Sequence, residues 1–201
     1  MQGLSFREYL LLFHSIKSKV YSLNEIINNK VEIENLPHPL PLFNDYLLQG
    51  YYPFANQGEY KTRLLQIINQ TLESDIPFYA NMNVSTGRKL KQLLSIISKS
   101  TPFKPNFSKI AEMIKVSRNN LADYFLYIEE AGLISQLRDK TGGIRGLGKV
   151  DKVYLENTNL IYALSADINN KGNVRETFFF NQMRVNNNIV SSPLSDFQIN
   201  N

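Results

Sequence analysis

The sequence contains no cysteine, no tryptophan and only two histidines, His14 and His38. The absence of cysteine excludes disulfides and thiolate metal sites, which suits a reducing cytoplasm. The histidines lie in different segments without metal-ligand spacing, so no histidine-based metal site is expected. No apolar run approaches the roughly 20 residues that cross a bilayer, and the N-terminus lacks the pattern of a signal peptide. We therefore expect a cytoplasmic protein without a membrane partner.

Positive charge is concentrated in one part of the chain. The 201 residues carry a formal net charge of +4. Residues 86–152 hold thirteen Lys or Arg and six Asp or Glu, a balance of +7, so the remainder carries −3. A polyanion would be attracted to this basic region. A solvated charged face accounts for the same count, so composition alone leaves both interpretations open.

Residues 1–84 predict a helical region. Two capping boxes, which begin at Ser5 and Ser22, each start a short helix. The proline-rich stretch 37–41 cannot be helix interior, because proline lacks the N–H donor, and it predicts a linker. Further amphipathic helices are predicted over 42–49, 59–75 and 89–100.

Residues 107–154 carry the most informative pattern. Apolar residues at three- and four-residue spacing predict two helices, separated by the polar break 117–120 and stopped by Gly132. Two extended runs and a tip rich in glycine, lysine and arginine follow, at 133–138, 150–155 and 140–149. This order of elements predicts a winged helix-turn-helix, which we place in a domain spanning residues 85–156.

The winged helix predicts a set of nucleic-acid contacts. The candidates are Arg118, Asn119 and Asn120 at the start of the second helix, and the wing cations Arg145 and Lys149. In a DNA reader, the first residues of the second helix face base edges in the major groove. An alternative is a plain capped helix start, because Ser117 is a good N-cap and asparagine is common near helix ends. Winged helices also act as packing or protein-contact modules, so this alternative stays open.

Residues 143–149 satisfy the first seven positions of a phosphate-binding P-loop. The motif then requires Ser or Thr for the magnesium ion, and this chain has Val150. A P-loop also precedes a helix, whereas an extended run follows here. We interpret the glycine run as the wing tip and expect no nucleotide or metal cofactor in this chain.

The region from residue 157 to 201 predicts a further, incomplete α/β domain. It contains a helical run at 160–164, a helix at 174–183 and two short strands at 189–190 and 196–199. Two such strands cannot bury a sheet by themselves, so we expect only the opening of a domain.

Glu176 and Asp196 are the spaced acids of this region that would suit a metal-dependent nuclease. Such a site needs clustered carboxylates and usually a lysine. No Glu-x-Lys follows Asp196. We therefore expect Glu176 to be a charge at a helix start, favoured by the helix dipole, and we expect no catalysis by this chain alone.

Several segments together resemble one family. Residues 3–10 read Gly-Leu-Ser-Phe-Arg-Glu-Tyr-Leu, and residues 47–53 read Leu-Leu-Gln-Gly-Tyr-Tyr-Pro. The further segments are 116–118 with 127–134, 152–160 and 172–179. In this order they resemble elements of a large group of prokaryotic AAA+ ATPases: the segment after the sensor strand, a "Tyr-Leu…Gly-Gly-Tyr-Pro" element, the winged helix, and the start of the C-terminal domain.

The resemblance covers essentially the whole chain and implies how it is built. These ATPases end in a domain of unknown function with a restriction-endonuclease-like fold. The resemblance implies that Arg175 and Glu176 begin the first helix of that domain, and that Asp196 is the acid of the following strand. The family then continues into a strand with Glu and Lys, which this chain lacks. The chain also lacks the ATPase core with its Walker motifs, so ATP and Mg²⁺ are implied only for a full-length protein.

The expected fold class is mainly α. Lid-like helices at 1–84 precede the winged helix-turn-helix at 85–156, and an incomplete endonuclease-like α/β tail follows at 157–201. The expected function is that of a lid and winged-helix interaction module of an AAA+ ATP-binding protein, without its own nucleotide site. Its partner would be DNA or a protein. The alternative is a stand-alone winged-helix DNA-binding protein.

Overall fold

The computed structural model describes residues 3–36, 38–83, 85–139, 150–165 and 170–199. Of these residues 56% are helical and 9% are in strands, so the fold is mainly α, as the sequence predicts. None of the helices in these ranges is long and apolar enough to span a membrane. The chain divides into two compact units, Met1–Tyr60 and Lys61–Asn201.

The described residues of the first unit form α1 (Phe6–His14), α2 (Leu23–Ile27) and α3 (Pro39–Gln49). Both predicted capping boxes form, at Ser5 and at Ser22. The predicted start of α3 at residue 42 is wrong, because the helix begins three residues earlier at Pro39. Proline is tolerated there because the first turn of a helix does not use its N–H groups in intrahelical bonds.

Aromatic side chains join α1 to α3. Phe6 packs edge-on against Phe43, with 5.2 Å between ring centroids, and Tyr9 packs against Tyr46 at 5.4 Å. Tyr46 is almost fully buried and donates a hydrogen bond from its hydroxyl to the Leu4 carbonyl at 2.7 Å. Aromatic burial therefore holds the two helices together, while the hydroxyl ties down the segment that precedes α1.

The second unit begins in a helix that changes its winding. α4 (Tyr60–Gln70) passes into a π-helical segment, Thr71–Asp75, and then into α5 (Ile76–Tyr79). The prediction of a single α-helix over 59–75 is therefore wrong in two respects: the helical segment continues to Tyr79, and residues 71–75 are π-helical. Pro77 provides the physical reason, because it offers no N–H to the carbonyl four residues before it and its ring would collide there. The wider π-helical turn lies at that place.

The central part of the second unit follows the predicted order of elements. These are α6 (Ser85–Ser100), α7 (Phe107–Ile114), α8 (Arg118–Glu130), β1 (Ile134–Arg138) and β2 (Val150–Leu155). The strands are antiparallel, with Ile134 opposite Leu155 and Leu137 opposite Lys152. The predicted tip at 140–149, which includes the glycine run, lies outside the described residues.

The last elements are α9 (Thr158–Leu164), α10 (Lys171–Met183), β3 (Ile189–Val190) and β4 (Gln198–Ile199). Both predicted strands are present, although β4 is shorter than the predicted 196–199, and they pair antiparallel in a second sheet. These elements share a core with the β1–β2 hairpin, because the rings of Tyr154 and Phe180 stack with their centroids 4.2 Å apart. The backbone N–H of Ser191 also donates to the Arg138 carbonyl at 2.9 Å.

Gly132 is the turn residue between α8 and β1, and its φ of +70° lies in the left-handed region. An added Cβ would meet no atom within 4 Å, so the backbone conformation alone requires glycine.

We predict that Gly132→Ala lowers the free energy of unfolding by about 1–2 kcal/mol. Gly58→Ala is the matched control, because that site is equally open and its φ is not left-handed. Urea unfolding of both variants checks this, and equal effects would contradict it.

Candidate functional site

The start of α8 places polar side chains on the surface. The Ser117 hydroxyl caps the helix by accepting from the Asn120 N–H at 3.1 Å. Arg118, Asn119 and Asn120 are all exposed, whereas Leu121, which follows them, is fully buried. The cap that the sequence offered as an alternative to DNA contact is therefore present, and it leaves all three predicted side chains free to reach solvent.

A groove of about 500 Å³ lies beside this helix start. Its lining combines the segment that leads into α7, the first residue of α8 and the first residue of β2. The lining residues are Lys104, Pro105, Asn106, Phe107, Ser108, Arg118 and Val150. Of these described lining residues, Lys104 and Arg118 are basic and the others are uncharged. The two other predicted cations, Arg145 and Lys149, lie outside the described residues.

The N-terminus of α7 adds partial positive charge to the groove. Asn106 caps this helix by accepting from the Lys109 N–H at 3.0 Å. The first N–H groups of a helix lack intrahelical partners and form the positive end of its dipole. Such a helix end favours phosphate or carboxylate groups. Together with Lys104 and Arg118, it makes this groove suited to an anion.

Lys104 is already paired with a carboxylate of the protein. Its Nζ lies 2.8 Å from Oδ1 of Asp151, at the start of β2. The hydrogen bond and the negative charge of Asp151 raise the pKa of Lys104. The lysine side chain is largely exposed, so solvent screens this pair and a competing anion has access to the ammonium group. Lys104 is one of the thirteen basic residues in 86–152, and no motif in the sequence distinguishes it from the others.

Glu129 in α8 is hydrogen-bonded to strand β1 of the hairpin. Its carboxylate accepts from the Gln136 backbone N–H at 2.8 Å, from the Gln136 side chain at 2.8 Å, and from Arg138 Nη2 at 2.6 Å. A carboxylate that accepts from both backbone and guanidinium donors makes strong, directional bonds. The hairpin is thus held in a defined position relative to the exposed start of α8.

Glu176 and Asp196 meet around a lysine. Nζ of Lys152 in β2 lies 2.9 Å from Oε1 of Glu176 and 2.6 Å from Oδ1 of Asp196. The hydroxyl of Tyr154 donates to the same Glu176 oxygen at 2.7 Å. The expectation that Glu176 is a helix-start charge is wrong, because α10 begins at Lys171 and Glu176 lies in its second turn. Its role is instead to pair with β2.

The cluster is an ion-pair network with a protonated lysine at its centre. Burial opposes the charge of Lys152, but the hydrogen bonds and charges of Asp196 and Glu176 raise its pKa. Burial and the bond to Glu176 also raise the pKa of the Tyr154 phenol, which keeps it a donor. Glu176 and Asp196 are the carboxylates that could contact a metal here, and no group of three or more metal-binding side chains occurs within the described ranges. The network ties β2, α10 and the approach to β4 together.

The protein is mainly helical, and its groove lies beside the N-termini of α7 and α8, where the described lining favours an anion. This chain belongs to the family described as Domain of unknown function (DUF8612), whose model matches residues 40–171, more than half of the chain. The match runs from α3 to the first residue of α10. It therefore includes the groove and Lys152, but neither Glu176 nor Asp196. No curated protein and no solved structure matches the chain.

The two arms of the lysine cluster should differ in strength, because the side chains of Glu176 and Asp196 are 19% and 62% exposed. We predict a coupling of about 1–2 kcal/mol for Lys152 with Glu176 and below about 0.5 kcal/mol for Lys152 with Asp196. Urea unfolding of double-mutant cycles built from Lys152→Met, Glu176→Gln and Asp196→Asn measures both. A stronger coupling to Asp196 would contradict the assignment.

The same cycles have a defined pH dependence. Because the pKa of Lys152 is raised in the folded state, its contribution is complete below its unfolded pKa of about 10.4 and is lost as pH rises through the folded value. We therefore expect the stability difference between the unmodified chain and Lys152→Met to be constant near neutral pH and to shrink only in the alkaline range.

Proposed function

We propose that α7, α8, β1 and β2 form a winged helix-turn-helix that binds the phosphate backbone of duplex DNA. The observation that carries this proposal is the groove, in which Lys104, Arg118 and the N-terminus of α7 border a cavity of about 500 Å³ whose described lining residues include no acid. Phosphate contacts from basic side chains and helix N-termini supply most of the affinity of DNA-binding proteins.

The order and exposure of the elements support the same proposal. In a helix-turn-helix, the second helix enters the major groove with its first residues toward the bases. Asn119 and Asn120 are the second and third residues of α8 and are exposed, which supports this role. Asparagine pairs with the edge of adenine, so these two side chains are the proposed base contacts. Arg118, which lines the groove, is the proposed phosphate contact, and Arg145 and Lys149 in the wing are further ones.

We also propose a larger context, in which this chain is the lid and interaction module of a cytoplasmic AAA+ ATPase. The resemblance of residues 3–10 and 47–53 to that family supports it. Leu11, Leu12 and Leu48 of the first unit are large apolar side chains that are half exposed, which suits packing against another domain. ATP and Mg²⁺ would bind to the ATPase core and not to this chain. α10, β3 and β4 would be the first elements of the endonuclease-like domain.

Salt-dependent DNA binding tests the first proposal. We predict that the chain binds a short fluorescein-labelled duplex at low salt, with an affinity that falls steeply between about 50 and 200 mM salt. Arg118→Ala should weaken binding about five- to tenfold and reduce the slope of log K against log salt by about 1. Lys99→Ala removes the same charge from α6, which does not line the groove, and should leave the slope unchanged. Equal slopes for all three proteins would contradict the assignment.

Asp151 should act as a competitor for Lys104. We predict that Asp151→Asn raises the affinity for the duplex about three- to tenfold, because it releases the ammonium group for phosphate. Asp123→Asn makes the same change at an exposed position of α8 and controls for net charge. The gain should disappear when Asp151→Asn is combined with Lys104→Ala. A gain of equal size in the Asp123 variant would show a general charge effect instead.

The absence of any gel shift at low salt would overturn DNA binding and leave the protein-contact role of the winged helix. ATP hydrolysis by the purified chain would contradict the lid proposal, in which the nucleotide site lies in a separate core.

A further inference from the structure

A second cavity of about 500 Å³ opens elsewhere on the second unit. It shares no lining residue with the groove. The π-helical segment and α5 form one side of it, and the C-terminal end of α8 forms the other. Its lining includes Thr71, Asp75, Tyr79, Tyr127, Glu130 and Ala131.

The charged side chains known to line this cavity are negative. Among the described lining residues, Asp75 and Glu130 carry a charge and the others are neutral. The C-terminal end of α8, a helix of 13 residues, adds the negative end of its dipole. A phosphate group is therefore disfavoured here, and a cation is favoured. This cavity has the opposite electrostatic preference to the groove.

Among the described residues, the two carboxylates have no ion-pair partner, whereas neighbouring carboxylates do. Glu73, two residues before Asp75, pairs with Lys91, and Glu129, one residue before Glu130, pairs with Arg138. Within the described part of the chain, neither Asp75 nor Glu130 lies within ion-pair distance of a Lys or Arg. Asp75 accepts a hydrogen bond from the neutral side chain of Gln70 at 3.2 Å. Their negative charge is therefore available to an external cation.

Aromatic rings complete the cavity. Tyr79 and Tyr127 line it, and Tyr79 is 79% exposed. Phe78, the residue before Tyr79, is 90% exposed. Adjacent exposed aromatic side chains mark surfaces that contact other proteins. A flat aromatic face beside a carboxylate is also the environment in which a guanidinium group binds, because it stacks on the ring while its N–H groups reach the oxygens.

We propose that this cavity binds an arginine side chain of a partner protein. The negative charge disfavours a nucleic acid, and the two carboxylates with two tyrosines match a planar cation better than the compact ammonium of lysine. The site is separate from the proposed DNA groove, so it would allow the module to contact a protein and DNA at the same time.

The probe is the blocked tripeptide acetyl-Gly-Arg-Gly-amide, titrated into the full chain and followed by amide and aromatic NMR shifts. We expect saturable shifts at Tyr79, Tyr127 and Glu130 with a Kd of about 1 mM, as one anchoring side chain provides. The citrulline tripeptide has the same shape without the charge and should bind at least about tenfold more weakly. The lysine tripeptide should bind about threefold more weakly than the arginine tripeptide. Equal shifts with the citrulline peptide, or no shifts with the arginine peptide, would overturn the proposal.

Variants locate the site. Asp75→Asn combined with Glu130→Gln should lower the affinity for the arginine tripeptide about tenfold. Glu112→Gln combined with Asp123→Asn removes the same two charges from exposed positions outside the cavity and should have no effect beyond about twofold. Tyr79→Ser changes an exposed side chain, so the fold should tolerate it, and it should weaken binding about threefold. If both double variants lost affinity for the arginine tripeptide equally, net charge would explain the effect and the proposed site would be contradicted.

Discussion

Burial of one face of α8 determines what the second unit displays. Leu121, Phe125 and Ile128 are fully buried at three- and four-residue spacing, so the helix has only one orientation that covers them. That orientation leaves the polar start of the helix in solvent. The Glu129 carboxylate, on the partly buried flank, then fixes the hairpin through Gln136 and Arg138. The groove beside Arg118 is a consequence of this packing and not of any single charged residue.

Lysine–carboxylate pairs determine the local charge both at the groove beside Arg118 and at the cluster around Lys152. Lys104 pairs with Asp151 in β2, and Lys152 in β2 pairs with Glu176 and Asp196. Lys104 is exposed and remains accessible to an anion, whereas Lys152 is enclosed by Glu176 and Asp196 and serves as their counter-ion. The same residue type is thus accessible to solvent at one position and part of an internal ion-pair network at the other, and side-chain exposure decides which.

Local pattern predicted most of the elements, and tertiary contacts account for what it missed. Capping serines, apolar spacing and Gly132 predicted α1, α2, α7, α8 and the hairpin, because these signals act within a few residues. The early start of α3 and the π-helical segment were missed, since each depends on how a proline is accommodated. The lysine cluster could not be predicted, because Lys152 is 24 residues from Glu176 and 44 from Asp196. The same holds for Lys104, which reaches Asp151 across 47 residues.

The most direct test of the account is amide chemical-shift mapping of the full chain with unlabelled duplex DNA. The account predicts that the largest shifts fall at the starts of α7 and α8, from Phe107 to Lys109 and from Arg118 to Asn120, while the amides of α4 and α6 stay unchanged. Shifts centred on any other surface, or none at low salt, would contradict the claim that the packing of α8 builds a DNA-binding groove.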